Sequence, residues 1–188
     1  MLKICAFSAS NSKNSINRIL LKIAIDKIMG HKINEIDIRD FPMPIYDPNI
    51  EKNEGFPIFA TQMLEIFSEH DAFIIAIPEH NGSMPAVFKN VIDWLSRLSD
   101  QQHPMFASKP VLLLSTSPGV NGGSTNLESL TQLMPWWGAD IRGSFSLGSF
   151  YENVIDRKLS LDQDRRLCDV IAEFVLHLED STVEVIAI

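Results

Sequence analysis

The sequence predicts an α/β fold, a doubly wound five-stranded parallel sheet with helices on both faces, and three observations carry that reading. Strand-like apolar runs alternate with helical patterns along the whole chain. The central run, residues 72–77, is continuously apolar rather than alternating, as befits a strand covered on both faces. Polar stretches rich in Ser, Asn or Gly follow three of the five runs, where connections leave the carboxyl ends of parallel strands.

Each element has its own signal. The first strand is expected over residues 2–7, followed by a helix with Ile16, Ile19, Leu20, Ile23 and Ile28 on one side. A short amphipathic run, residues 33–38, fits an edge strand, and the Pro-rich stretch 41–48 reads as an ordered loop over the active-site edge. The second helix carries Phe59, Met63, Ile66 and Phe67. Pro78 closes the third strand, and Pro85 lies near the first position of a third helix with Val87, Phe88, Val91, Ile92, Leu95 and Leu98 on one face. Residues 111–116 form the fourth run, and residues 141–145 mark the fifth. Capping-box spacing at Thr125 to Glu128 and at Ser160 to Gln163 predicts the starts of a fourth and a fifth helix, the latter carrying Leu167, Val170, Ile171, Phe174, Val175 and Leu178. The tail, residues 181–188, alternates in a way that favours a short strand packed on a neighbour over a frayed end. Five strands with four crossovers and an edge second strand give the flavodoxin-like order 2-1-3-4-5. Without repeats or linkers, residues 1–188 read as a single domain.

Composition narrows the partners. At 188 residues and 45% hydrophobic content the chain can bury a sizeable core, and 16 basic against 24 acidic residues give a net charge of -8 that opposes nucleic acid and anionic membrane surfaces. The opening apolar run is too short for a signal peptide and no stretch approaches a membrane span, so a cytoplasmic location is expected. Cys5 and Cys168 lack C-x-x-C spacing and read as ordinary buried thiols. Glu173 and His177 have one-turn spacing but no further ligands nearby, and read as an exposed helix pair rather than a metal site.

Three loops carry the candidate chemistry. Residues 8–17 combine hydroxyls, amides and helix-start N–H groups, which suits an anion such as phosphate; the same loop could simply cap the first helix through Ser15. Neither a P-loop nor G-x-G-x-x-G is present. In residues 78–83, Gly82 permits close backbone approach and Asn81 can donate and accept; Glu79 either positions a group or faces solvent, and His80 reads as a packed or stacked ring rather than a general acid. Residues 115–123 hold three glycines that let a backbone wrap a ligand. In the order 2-1-3-4-5 all three loops meet at the switch point of the sheet, an edge suited to a planar, hydrogen-bonding ligand.

With these residues in view, the chain resembles the NADPH-dependent FMN reductase family across about residues 1–178. The most specific element is Pro78-Glu79-His80-Asn81-Gly82-Ser83 followed by Pro85, Lys89-Asn90 and Asp93-Trp94. The family's phosphate loop, Gly-Ser-x-Arg-x-x-Ser-x-Asn, is matched at Ser10, Ser15 and Asn17 but departs at Ala9 and Ser12. The resemblance implies a bound FMN reduced by NADPH or NADH, with electrons passed by a ping-pong route to a flavin, quinone, azo compound or oxidised metal. No catalytic side chain is implied, because the flavin carries the chemistry. It places Ser10, Ser12, Lys13, Ser15, Ile16 and Asn17 at the phosphate, with Lys13 substituting for the absent guanidinium. Pro78, Glu79, His80, Asn81 and Gly82 are placed against the isoalloxazine, with His80 where the family usually has Tyr. Ser115, Gly119 and Gly122 are placed along the flavin and nicotinamide side. It further implies a homodimer or homotetramer, with Trp94 in the core or at a subunit interface rather than stacked on the flavin. Two rival readings stand beside it. One is a flavodoxin-type electron carrier, suited by the acidic charge but lacking the Thr/Ser-x-Thr-Gly-x-Thr pattern; the other is a flavin-free regulatory domain, suggested by Ala9, Ser12 and His80.

Overall fold

The computed structural model describes residues 1–99 and 104–186, with side chains described as far as residue 180. The main sheet holds β1 (Lys3–Ser8), β2 (Lys32–Asp37), β3 (Ala72–Ala76), β4 (Lys109–Thr116) and β5 (Ala139–Leu147), all parallel in the order β2-β1-β3-β4-β5. The expected sheet and strand order are therefore found. Around it lie α1 (Ile16–Ile25), α2 (Pro48–Glu54), α3 (Ile58–Ser68), α4 (Ala86–Leu98), α5 (Ser124–Leu133), α6 (Phe150–Asn153) and α7 (Leu161–Ile186). A small antiparallel hairpin, β6 (Val154–Ile155) and β7 (Lys158–Leu159), precedes α7.

Alternation along β1 divides the core. Cys5 and Phe7 point to one face with Met63, Phe67, Phe88, Val91, Leu127 and Leu130 of α3, α4 and α5. Ile4 and Ala6 point to the other with Leu20, Leu21 and Ala24 of α1 and Leu167, Ile171, Phe174 and Leu178 of α7. Phe67 anchors the first layer, edge-on to Phe73 with ring centroids 4.9 Å apart and stacked on Phe7 at 5.8 Å. Trp94 is fully buried, edge-on to Tyr46 at 5.0 Å, and its Nε1 donates to Pro44 O at 2.8 Å. It belongs to the core and ties the 41–48 loop to α4.

Several expectations are corrected. Ile28 lies beyond the Asp26 cap of α1, although it is buried. The loop expected over residues 41–48 gives way at its end to a helix the sequence reading did not include: Asp47 caps α2 by accepting from Asn49 N at 2.7 Å, with Pro48 at the first helical position. Helix α5 starts after Gly123, so Thr125 stands inside the helix, where its hydroxyl accepts from Asn121 Nδ2 at 3.2 Å instead of capping. Ser160 precedes α7, but its hydroxyl donates to Asn153 Oδ1 at 2.9 Å, which ties the helix start to α6. Cys168 is exposed: α7 buries positions 167, 171, 174 and 178, and residue 168 turns about 100° off that stripe. Residues 181–186 continue α7 as helix rather than forming a strand, which satisfies backbone N–H groups within the segment; residues 187–188 lie outside the described residues.

Candidate active site

The β1–α1 loop extends the sheet ladder by one bond, Ala9 N to Ala76 O at 2.9 Å, and then turns. Ser10, almost fully buried, accepts from Ser12 N at 3.2 Å, and Ser12 accepts from Asn14 N at 3.3 Å. Ser15 caps α1 by accepting from Arg18 N at 3.3 Å, and the first turn of that helix carries no acidic residue. Among the described residues, the backbone N–H groups of Lys13, Ser15, Ile16 and Asn17 have no partner. Hydroxyls, unpaired N–H groups, a helix start and the exposed Lys13 ammonium form a donor set that fits a phosphate. Arg18 is committed elsewhere, its Nη2 lying 3.2 Å from Asp37 Oδ1. Hydrogen bonds from Arg39 hold the Asp37 carboxyl below its ordinary range, with the nearby Arg18 charge acting in the same direction.

Asn17 has a different geometry from the rest of this group. Its side chain is 3% exposed; Nδ2 donates to Thr116 O at 2.9 Å and Oδ1 accepts from Thr116 N at 3.0 Å. The amide thus clasps the last residue of β4, fixing the first loop against the third.

In the second loop, His80 N donates to Ser83 O at 2.8 Å and Ser83 N to His80 O at 3.1 Å, closing a two-residue turn. Asn81 and Gly82 occupy it with φ of 53° and 76°, the left-handed pair for which Asn-Gly is the favoured sequence. A Cβ at Gly82 would meet nothing within 4 Å, so the turn itself, not a close approach by another part of the chain, calls for glycine. Pro78 is buried, whereas His80 is exposed rather than packed within the turn. Glu79 resolves toward a positioning role: Oε2 accepts from Asn126 N at 3.1 Å and from Asn121 Nδ2 at 3.5 Å. A carboxylate thereby satisfies the first turn of α5, with a favourable charge for a helix start.

The third loop is pinned on both sides. Ser115, fully buried, donates to Ile77 O at 2.7 Å; Asn126 Nδ2 donates to Pro78 O at 3.1 Å; Thr116 Oγ1 donates to Leu147 O at 2.7 Å. Gly119 is exposed at the rim. Gly122 is buried, and a Cβ there would come within 2.5 Å of Gly148 N and Ser146 Oγ, so its missing side chain admits the end of β5 rather than a ligand. The structure therefore brings Ser10, Ser12, Lys13, Ser15, Ile16 and Asn17 into one loop and Pro78 to Gly82 into another. Ser115 and Gly119 belong to the third, and Gly122 sits behind it. Thr116, Asn121 and Asn126 were not singled out from the sequence, and Gly123 counted only as one of the three loop glycines. Asn126 had a signal, a polar residue in the apolar stripe that continues at Leu127 and Leu130 of α5.

A planar ligand over this edge would meet the N–H groups of Asn81 and Gly82 on one side and of Gly119 and Val120 on the other, which have no partner among the described residues. Together with the phosphate-compatible loop, that donor set fits FMN. The model of the NADPH-dependent FMN reductase family matches residues 2–152. A quinone reductase of Escherichia coli K12 is 36% identical over 160 residues, which cover 82% of this chain and 81% of the relative. An NAD(P)H-dependent FMN reductase of Pseudomonas aeruginosa is 34% identical over 119 residues, covering 63% of this chain and 61% of the relative. Among solved structures, a flavoenzyme NAD(P)H:(acceptor) oxidoreductase from Paracoccus denitrificans superposes with a TM-score of 0.77 over 96% of this chain and 98% of its own, at 21% identity, a likeness of fold. With the match spanning the sheet and all three loops, the chain belongs to the NADPH-dependent FMN reductase family.

Proposed function

We propose that residues 1–188 form one flavin-binding domain that acts as an FMN-dependent NAD(P)H oxidoreductase. FMN, when bound, takes hydride from NAD(P)H and returns the electrons to a second acceptor, of which a quinone is the best-supported class given the quinone reductase relative. The observation that carries the reading is the locking of three polar loops to one another at the switch point by Asn17, Glu79, Ser115 and Asn126. In this reading Ser10, Ser12, Lys13, Ser15 and Ile16 hold the phosphate through hydroxyls, N–H groups and one ammonium, and Asn17 acts by fixing that loop. Pro78 to Gly82 would set the edge against the isoalloxazine, and backbone N–H groups there would favour negative charge on the ring. Ser115 keeps the second and third loops in register, Gly119 lines the donor side, and Gly122 lets that loop seat on β5. A pre-set edge used in turn by donor and acceptor suits a ping-pong route. Initial rates of NADPH oxidation at several fixed quinone concentrations should give parallel double-reciprocal lines; intersecting lines would rule that route out.

The protein is further proposed to be cytoplasmic and to work as a homodimer or homotetramer. No helix among the described residues is long and apolar enough to cross a membrane. Exposed Ile45, Ile58 and Trp136 offer apolar surface for self-association. Sedimentation as a monomer at micromolar concentration would exclude the oligomer.

A further inference from the structure

A cavity of about 490 Å³ opens beside the phosphate loop, along α1 and bounded by Glu35 of β2 and Arg157 of the β6–β7 turn. Lys13, Asn14 and Ser15 belong to both, so the cavity continues from the place where the flavin phosphate is proposed to sit. Its apolar lining comes from Ile19, Ile23 and Ile25, and its charged rim from Lys13, Arg18, Lys22 and Arg157, with Glu35 and Asp26 as the acidic members. Arg18 is paired with Asp37, and Lys22 lies 3.8 Å from Glu35. Among the described residues, Lys13 and Arg157 form no ion pair, and neither does Asp26, which leaves two cations and one carboxylate unpaired along the cavity.

Arg157 is placed there against backbone preference. It follows Asp156 in the two-residue turn between β6 and β7, where Ile155 pairs with Lys158, and the two residues have φ of 49° and 61°. Such a turn favours glycine at its second position. An arginine there adopts a left-handed conformation that glycine would take without strain, and it lines the cavity.

We infer that this cavity takes the adenosine phosphate half of FAD, so that the chain binds FAD as well as FMN at one flavin site. The inference rests on the flavin reading above. In FAD the adenosine phosphate is joined to the same phosphate that ends FMN, so it must leave the loop beside Lys13 to Ser15, where the cavity begins. The isoleucine lining suits a purine, and Lys13 and Arg157 suit the added phosphate. An adenosine phosphate also occurs in NADPH, but its nicotinamide has to reach the edge between residues 78–83 and 117–123, whereas this cavity lies along α1.

The test is flavin titration of the full-length protein after removal of bound flavin, comparing the wild type with Arg157→Gly. The substitution suits the left-handed backbone, and an unchanged melting temperature would establish that the fold is intact. FAD should bind the wild type with an affinity close to that of FMN, and Arg157→Gly should weaken FAD roughly tenfold while FMN stays within about twofold. FMN binding with FAD weaker by about a hundredfold, or an equal loss for both flavins in the variant, would overturn the inference and leave the FMN reading standing. A raised KM for NADPH with unchanged flavin affinities would assign the cavity to the donor and equally overturn it. Binding of neither flavin by the wild type would remove the flavin reading itself.

Discussion

Replacing Asn17 with Ala removes two hydrogen bonds, at 2.9 and 3.0 Å, from the peptide groups of a residue that is 2% exposed. Each bond is worth about 1 kcal/mol net, and the buried Thr116 N–H and carbonyl left behind add desolvation costs, so about 3 kcal/mol of stability should be lost. For a chain of this size that is a fall of roughly 6–12 °C in melting temperature. Asn17→Asp is expected to do no better: it retains an acceptor for Thr116 N but turns a carboxylate oxygen toward Thr116 O. Since the clasp joins the first loop to the third, FMN affinity should fall along with stability. Thermal unfolding followed by circular dichroism, with and without FMN, reads both effects. An Asn17→Ala protein that melts within 1 °C of wild type, with the same FMN-induced stabilisation, would refute the clasp.

Further outcomes follow from neighbouring geometry. Gly123→Ala should destabilise the protein severely, because φ is +81° and the added Cβ would collide with Ser115 Oγ; a melting temperature near wild type would contradict this. A thiol reagent should label one cysteine of the native protein, Cys168, and reach Cys5 only on unfolding. Burial pushes the Cys5 thiol from 9.0 up to about 12, so the stability it contributes is complete below pH 9 and is lost as pH rises toward 12. Cys5→Ala should flatten that alkaline decline in chemical denaturation; an identical decline would argue against it. Asp37 has the opposite sign. Its lowered carboxyl contributes stability that is complete above its ordinary value of 3.8 and is lost as pH falls through the lower folded value, so the gap between wild type and Asp37→Asn should narrow below about pH 4.

The sheet and its order were legible because each strand has an apolar run and each crossover helix an apolar stripe, a signal that survives without knowledge of tertiary partners. The convergence of the loops followed from strand order alone. What resisted reading was the use of polar side chains across long sequence separations. Asn17 looked like a ligand contact because a loop asparagine shows no sign of the Thr116 peptide that it faces. Thr125 and Ser160 had capping spacing, but the first turn of α5 is satisfied by Glu79 through Asn126 N, and the Ser160 hydroxyl turns to Asn153, arrangements that the capping pattern does not reveal. Gly122 looked like a ligand-facing glycine until the end of β5 was seen against it. The β6–β7 turn lacks the usual Asn-Gly or Asp-Gly signature, since Asp156-Arg157 takes its place.

The central claim is that this edge binds a flavin and lets NAD(P)H reduce it. The most direct measurement is the visible absorption spectrum of the purified protein, loaded with FMN and freed of excess, before and after NADPH or NADH is added without oxygen. The account predicts retained flavin whose visible bands bleach within seconds of adding the preferred donor. Retained flavin that stays oxidised would contradict it in favour of an electron carrier, and failure to retain any flavin would contradict the site itself.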